Sequence, residues 1–174
     1  MIHPAFAQTL ARYNRWQNRS LYTAADGLSD VERRKDRGAF FKSIFGTLNH
    51  ILWADAMWMS RVSDGLKPDR SLSQSPEFCA DWNALKQARA EADQRLVAWA
   101  DGLDEAWLAG DLSWRSGALN KDLVNPRWLI VVHMFNHQTH HRGQVHAMLT
   151  AAGARPEDTD LPFAPPSAGV FLES

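Results

Sequence analysis

The sequence is poor in cysteine, in surplus charge of either sign and in long apolar runs. Cys79 is the only cysteine among 174 residues, so neither an intrachain disulfide nor a thiolate metal cage can form. Nineteen Lys and Arg stand against 20 Asp and Glu, a formal net charge of −1. A dedicated nucleic-acid binder carries a clear basic excess, so that class is disfavoured. The longest run without a polar side chain near the histidine-rich segment, Trp128 to Val132, is far short of the roughly 20 residues that span a bilayer. The N-terminus, Met1 to Gln8, lacks a basic region followed by an apolar one and does not read as a secretory signal. No Gly-x-Ser-x-Gly elbow, P-loop or dinucleotide-binding glycine pattern is present. These absences lead us to expect a reduced, cytoplasmic protein with neither membrane nor nucleic acid as partner.

What is present is an ordinary globular composition, 45% hydrophobic and 22% charged, at a length that suits one domain, residues 1–174, with a substantial core. Four segments read as helices. The first opens at Pro4 and runs to about Asp26, with Gly27 beyond its end and Phe6, Leu10, Tyr13, Leu21 and Ala24 on one face. The second runs from about Ser43 to Val62, stopping before Asp64-Gly65. The third is expected to start with Ser75 as cap and Pro76 at the first helical position, and to end at Ala100 before Gly102. The fourth starts at Asn125-Pro126 and runs to Ala152, closed by Gly153. Leu112–Arg115 and Lys121–Val124, around Gly117, have the pattern of a short hairpin. The tail from Ala154 to Ser174 carries four prolines and reads as surface coil. Glu32 to Arg37 interleaves acids and bases and reads as a solvated loop. The fold class is therefore all-α, a four-helix bundle with a hairpin between its third and fourth helices.

Histidine is the unusual abundance: there are seven, five of them between His133 and His146. At about 100° per residue, with His137 at zero, Ile130, Met134, His141 and Met148 lie within about 60° on one side. His133 and Gln144 lie within about 40° on the other side, with His140 at about 60° and His146 opposite. An imidazole-rich stripe facing a bundle core is costly, since an unpaired buried polar group is penalised by roughly 1–3 kcal/mol. A divalent ion removes that cost by taking neutral imidazole nitrogens as ligands. His137 and His141, four residues apart, stack within reach of one ion. His133 extends the ladder, but three consecutive turns converge poorly on one ion, so another helix should supply the third ligand. The second helix has one candidate, His50.

Leu48-Asn49-His50-Ile51-Leu52-Trp53-Ala54-Asp55 and His133-Met134-Phe135-Asn136-His137-Gln138-Thr139-His140-His141-Arg142-Gly143-Gln144 resemble the two signature segments of the DinB/YfiT-like metalloprotein superfamily. These are damage-inducible-type four-helix bundles, unrelated to the translesion polymerase that shares the DinB name. The resemblance covers nearly the whole chain. It implies His50, His137 and His141 as ligands of a divalent metal ion, usually Zn or Ni, and a homodimer.

Other residues follow from this frame. Asp55 sits in the apolar stripe of the second helix and needs a partner, with Arg142 and Arg61 the plausible ones; it is also a candidate to orient a ligand imidazole. His140 and Arg142 are further candidates for that supporting role. His133 is expected to be a packed core histidine, His146 solvent-facing or at an interface, and His3 a bystander. Trp53, Trp58 and Met57 read as packing residues. Gly143, inside a helix, suggests close approach of another helix.

Three imidazoles on one ion leave a position for water, thiolate or carbonyl, the form of a catalytic rather than a closed structural site. The resemblance implies thiol-dependent S-transferase-like chemistry, with a small-molecule substrate and a low-molecular-weight thiol. The competing expectations are a hydrolase using metal-bound water and a non-catalytic metal-binding stress-response protein.

Overall fold

A computed structural model describes residues 1–117 and 119–171 of the chain. In chain order the elements are α1 (Pro4–Asp26), the short α2 (Asp30–Arg34), α3 (Ile44–Val62), a 3-10 turn (Leu72–Glu77), α4 (Trp82–Asp101) and the short α5 (Glu105–Ala109). Strands β1 (Asp111–Ser116) and β2 (Lys121–Pro126) and the long α6 (Arg127–Ala151) follow. The structure is mostly helical, with one two-stranded antiparallel hairpin pairing Asp111 with Pro126 and Ser116 with Lys121. No helix among the described residues is long and apolar enough to cross a membrane.

Helix ends are set by local side chains that satisfy orphan backbone N–H groups. His3 accepts from Ala5 ahead of Pro4, Ser43 from Gly46, and Asp81 from Ala84. His3 is thus a cap for α1 rather than a bystander. The third long helix starts later than expected, at Trp82 with Asp81 as cap. Ser75 and Pro76 belong instead to the preceding 3-10 turn, and the Ser75 hydroxyl is engaged elsewhere, as described below. Asn125 likewise does not cap α6: it lies in β2, and its side chain accepts from the Trp114 indole. Gly153, with φ +83°, turns the chain out of α6 in the left-handed conformation that favours glycine. Residues 30–34 form a short helix rather than loop, with Arg34 paired to Asp30.

Contacts fix the sense of the four long helices. Phe6 meets Phe135 and Asn14 meets Arg142, so α1 and α6 run parallel. Arg12 pairs with Asp101 and Asp26 with Lys86, so α4 runs against α1. His50 meets His137 while Trp58 meets His133, so α3 runs against α6. Because α3 and α4 then point the same way, residues 63–81 must return along the bundle, and this return lays Ser75 beside α3. The tail folds back on α1, where Trp16 donates to Glu157 and Tyr13 to the Thr159 carbonyl. Its last three residues, part of the expected coil, lie outside the described residues.

The interior has three layers. One apolar cluster holds Leu21, Ile44, Leu48, Ile51, Leu85, Val145 and Leu149. Another holds Ala7, Ala11, Val62, Leu96, Leu108, Val131 and Met134. Each fully buried Leu or Ile contributes about 1.5–3 kcal/mol, which drives collapse but says little about register. Between the clusters lies a polar layer with members on all four long helices. Arg89 of α4 reaches Asp55 of α3 at 2.6 Å and Asp93 at 2.9 Å. Gln138 of α6 donates to Asp55 at 2.8 Å, Asn18 of α1 donates to Asp93 at 2.8 Å, and Arg142 of α6 donates to Asn14. Two buried arginines are balanced by two buried aspartates. Burial works against the Arg89 charge, but Asp93 and Asp55 outweigh it and hold the guanidinium protonated.

This layer corrects two expectations. The buried face of α1 is Ala7, Ala11, Asn14, Asn18, Leu21 and Ala25, rotated from the expected one, and Phe6 is exposed. Asp55 pairs with Arg89 and Gln138, whereas Arg142, in the same layer, bonds Asn14, and Arg61 packs against Trp58 and Trp114. Removing one member of a buried ion pair strands the other. Asp55→Ala is therefore expected to lower unfolding free energy by about 3–5 kcal/mol, measured by urea denaturation of the metal-free protein; a loss below about 1 kcal/mol would show that the layer is not closely coupled.

Candidate metal centre

The facing sides of α3 and α6 bring His50, His137 and His141 together. One ring nitrogen from each lies within 4.8 Å of the others, an arrangement that could hold a metal ion. His50 and His141 are buried and His137 is half-buried. His50 Nε2 and His137 Nε2 stand 3.3 Å apart. Two nitrogens on one tetrahedral ion at 2.0–2.1 Å are separated by about 3.3–3.4 Å, so this pair already has the spacing of shared coordination.

Neighbouring groups fix which nitrogen each ring presents. Ser75, fully buried in the 3-10 turn, lies 2.9 Å from His50 Nδ1. With Ser75 Oγ accepting the Nδ1 proton, the bare Nε2 is turned toward His137. Gln144 Oε1, one turn along α6, lies 2.8 Å from His141 Nδ1 and does the same for that ring. Such outer contacts set tautomer and ring orientation in histidine metal sites. Phe41 stacks flat on His50 at 3.7 Å between centroids and 21° between planes, shielding one side. The tight turn that delivers Phe41 places Lys42 at φ +64°. It packs so close to α3 that a Cβ on Gly46 would lie 2.6 Å from the Phe41 carbonyl oxygen, so only glycine fits there.

The electrostatics suit neutral imidazoles. Burial, then the neighbouring His137 and His141, push His50 down to about 3. Burial, then the surrounding histidines, push His137 down to about 4, and burial also lowers His141. At neutral pH the three rings are uncharged, the form in which imidazole ligates a metal. Bare nitrogens facing one another at 3.3 Å repel unless a proton or cation lies between them. The donor set therefore fits a divalent ion.

The remaining candidates are distributed differently from expectation. His133 is exposed rather than a core residue, packed edge-on against Trp58. His140 is exposed too, lies against His141 and is within 3.3 Å of Gln144 Nε2. Asp55 makes its bonds to Arg89 and Gln138, the latter next to His137, rather than to a triad ring. Arg142 is buried, and burial lowers it to about 10; it bonds Asn14 and Thr139 rather than the triad. His146 is half-buried. Nothing lies within 4 Å of a Cβ built on Gly143, so close helix approach does not explain that glycine. Trp53 is buried as expected and donates to the Arg70 carbonyl. Ser75 and Phe41 escaped the sequence reading because only the folded return segment and turn bring them to α3. Gln144 was legible in principle, three residues from His141 on the same helical face. A separate cavity of about 420 Å³ between α1 and α4, bordered by Arg15, Arg19 and Asp93, contains none of the three histidines.

Comparison with known proteins agrees with this architecture. Residues 1–170 match the DinB family. Protein DinB of Bacillus subtilis (strain 168) is 24% identical over 160 residues, covering 89% of this chain and 91% of that protein. The crystal structure of a DinB-like protein from Bacillus cereus ATCC 10987 superposes with a TM-score of 0.50 at 17% identity, covering 82% of this chain and 90% of that one; it bears on fold alone.

Metal titration of the purified chain, read by elemental analysis, is expected to give about one divalent ion per chain, with His50→Ala and His137→Ala losing it. Ser75→Ala is expected to weaken uptake about 10–100-fold by freeing the His50 ring. No ion retained or taken up by the wild type would overturn the assignment.

Proposed function

The chain belongs to the DinB family, and from that premise we propose that it is a metal-dependent enzyme with thiol-dependent, S-transferase-like activity. The observation that carries this reading is the convergence of three neutral imidazoles, from two helices, on one point at the α3–α6 surface. His50, His137 and His141 would hold the ion, Zn or Ni by family resemblance. Once bound, it supplies a Lewis-acid centre that favours a thiol as its thiolate. A low-molecular-weight thiol is the proposed co-substrate, because the chain's one cysteine, Cys79, is not among the residues that converge with the triad. A reducing cytoplasm is the proposed compartment.

The surrounding residues have definite tasks in this reading. Ser75 and Gln144 hold the Nδ1 atoms of His50 and His141, keeping both Nε2 atoms aimed inward. Phe41 and Trp53 cover the His50 ring and exclude water from that side. His140, exposed and packed against His141, is an imidazole at the rim that can take up a proton and pass it to solvent. The reaction in view is attack of a thiolate sulfur on an electrophilic carbon, forming a carbon–sulfur bond while a leaving group departs with the bonding pair.

The test is product formation by protein loaded with zinc or nickel, with and without an added thiol, against a panel of alkyl halides and epoxides. Conjugate is expected only with thiol, and His137→Ala is expected to lose at least about 100-fold of the rate. Ester or amide cleavage without thiol would replace this reading with a metal-dependent hydrolase. Absence of any turnover, together with unfolding on chelation, would identify a structural ion in a non-catalytic protein.

A further inference from the structure

A row of aromatic groups leads from the triad toward the hairpin. His133 lies 5.8 Å from His137 between ring centroids, and Trp58 lies 4.9 Å from His133. Trp114, delivered by β1, meets Trp58 edge to face at 5.2 Å. At the end of the row, Arg61 Cζ stands 4.4 Å from the centroids of both indoles. The spacing on α3 explains the alignment. His50, Trp58 and Arg61 recur at helical intervals, so they share the face turned toward α6. The eleven residues from His50 to Arg61 cover about 16 Å of helix axis.

Arg61 is distinctive because its guanidinium is held but not paired. It is half-buried, and burial is the only influence that lowers its basicity, with no carboxylate acting on it among the described residues. The two indoles, 5.2 Å apart at an angle of 64°, both lie to one side of the guanidinium, bounding that side and restricting its motion. The N–H edges carry the hydrogen-bonding capacity, and a carboxylate is the group whose geometry matches that fork. A cation pre-oriented by aromatic walls, partly desolvated and without a protein counter-ion is the form of an anion-recognition element.

We propose that Arg61 binds a carboxylate of the ligand that reaches the histidine triad, with Trp58 and Trp114 as its positioning walls, an inference that rests on the reading of the triad as a substrate site. The ligand class is an extended organic molecule with a carboxylate several bonds from its metal-seeking group. The hairpin thereby gains a role: it brings Trp114 to the carboxylate end of the aromatic row. Arg61 is a specificity residue in this account and takes no part in bond making.

Isothermal titration of the zinc-loaded full chain tests it with three probes: glutathione, its diethyl ester with both carboxylates masked, and S-methylglutathione, which offers no thiolate. Wild-type protein is expected to bind glutathione at least about tenfold more tightly than the diester, the scale of a charge-assisted hydrogen bond. Arg61→Met is expected to bring the two affinities within about twofold by weakening the free acid alone, and Arg61→Lys to retain part of the preference. Near-ultraviolet circular dichroism of the same variants reports whether Trp58 and Trp114 keep their packing. An unchanged preference in Arg61→Met, or no preference in the wild type, overturns the proposal. So does a loss that affects acid and ester equally alongside altered tryptophan packing, which marks Arg61 as a purely structural clamp for the hairpin. If S-methylglutathione binds as tightly as glutathione and both weaken in Arg61→Met, the carboxylate site stands and the thiolate reading of the triad fails.

Discussion

The Asp55–Arg89 ion pair is the interaction on which the rest of the structure depends. It sits between two apolar clusters and draws a member from every long helix into one balanced layer, with Asp93, Asn14 and Asn18 on one side and Gln138 and Arg142 on the other. A lone buried charge costs several kcal/mol, so the layer is stable only when all its members meet at hydrogen-bond distance. Apolar packing on either side is non-directional and would tolerate helices slid or rotated past one another. The polar layer does not. Gln138 is the link that matters for the site, because its bond to Asp55 fixes the rotation of α6 and turns the adjacent His137 toward His50.

The triad then follows from geometry already set. The spacing of His137 and His141 places two rings on the α3 side of α6, and the antiparallel run of α3 brings His50 opposite them. The return segment, forced to run the length of the bundle by the parallel sense of α3 and α4, supplies Ser75. The turn before α3 supplies Phe41 at the cost of a left-handed Lys42 and an obligatory Gly46. Burial disfavours the charged imidazolium, so the rings stay neutral and their facing nitrogens are held together by a shared proton or a cation. The same α3 face continues through Trp58 to Arg61, which places the proposed carboxylate element in line with the metal centre.

The sequence disclosed periodic and local features. The four long helices, the hairpin and the three converging histidines were all readable, because helical spacing of imidazoles against apolar neighbours is a strong signal. Features that depend on distant contacts were not. Asn14 and Asn18 lay outside the apolar face read for α1, because nothing local reveals that Asp93, about 80 residues on, needs them. Asp55 was recognised as needing a partner, yet the partner is Arg89 on a different helix from either candidate. Ser75 had the sequence pattern of a helix cap, and its use as a contact to His50 overrode that local preference. His133 shares the ligand stripe but lies beyond the edge of the packed interface, where one turn of helix separates buried from exposed.

X-ray absorption spectroscopy of the zinc-loaded chain, with no thiol added, addresses the central claim most directly. Three imidazole nitrogens at about 2.0–2.1 Å, with a light-atom ligand completing the shell, are the predicted result. A sulfur neighbour at about 2.3 Å, or a shell with fewer than three imidazoles, would contradict an open site built from His50, His137 and His141.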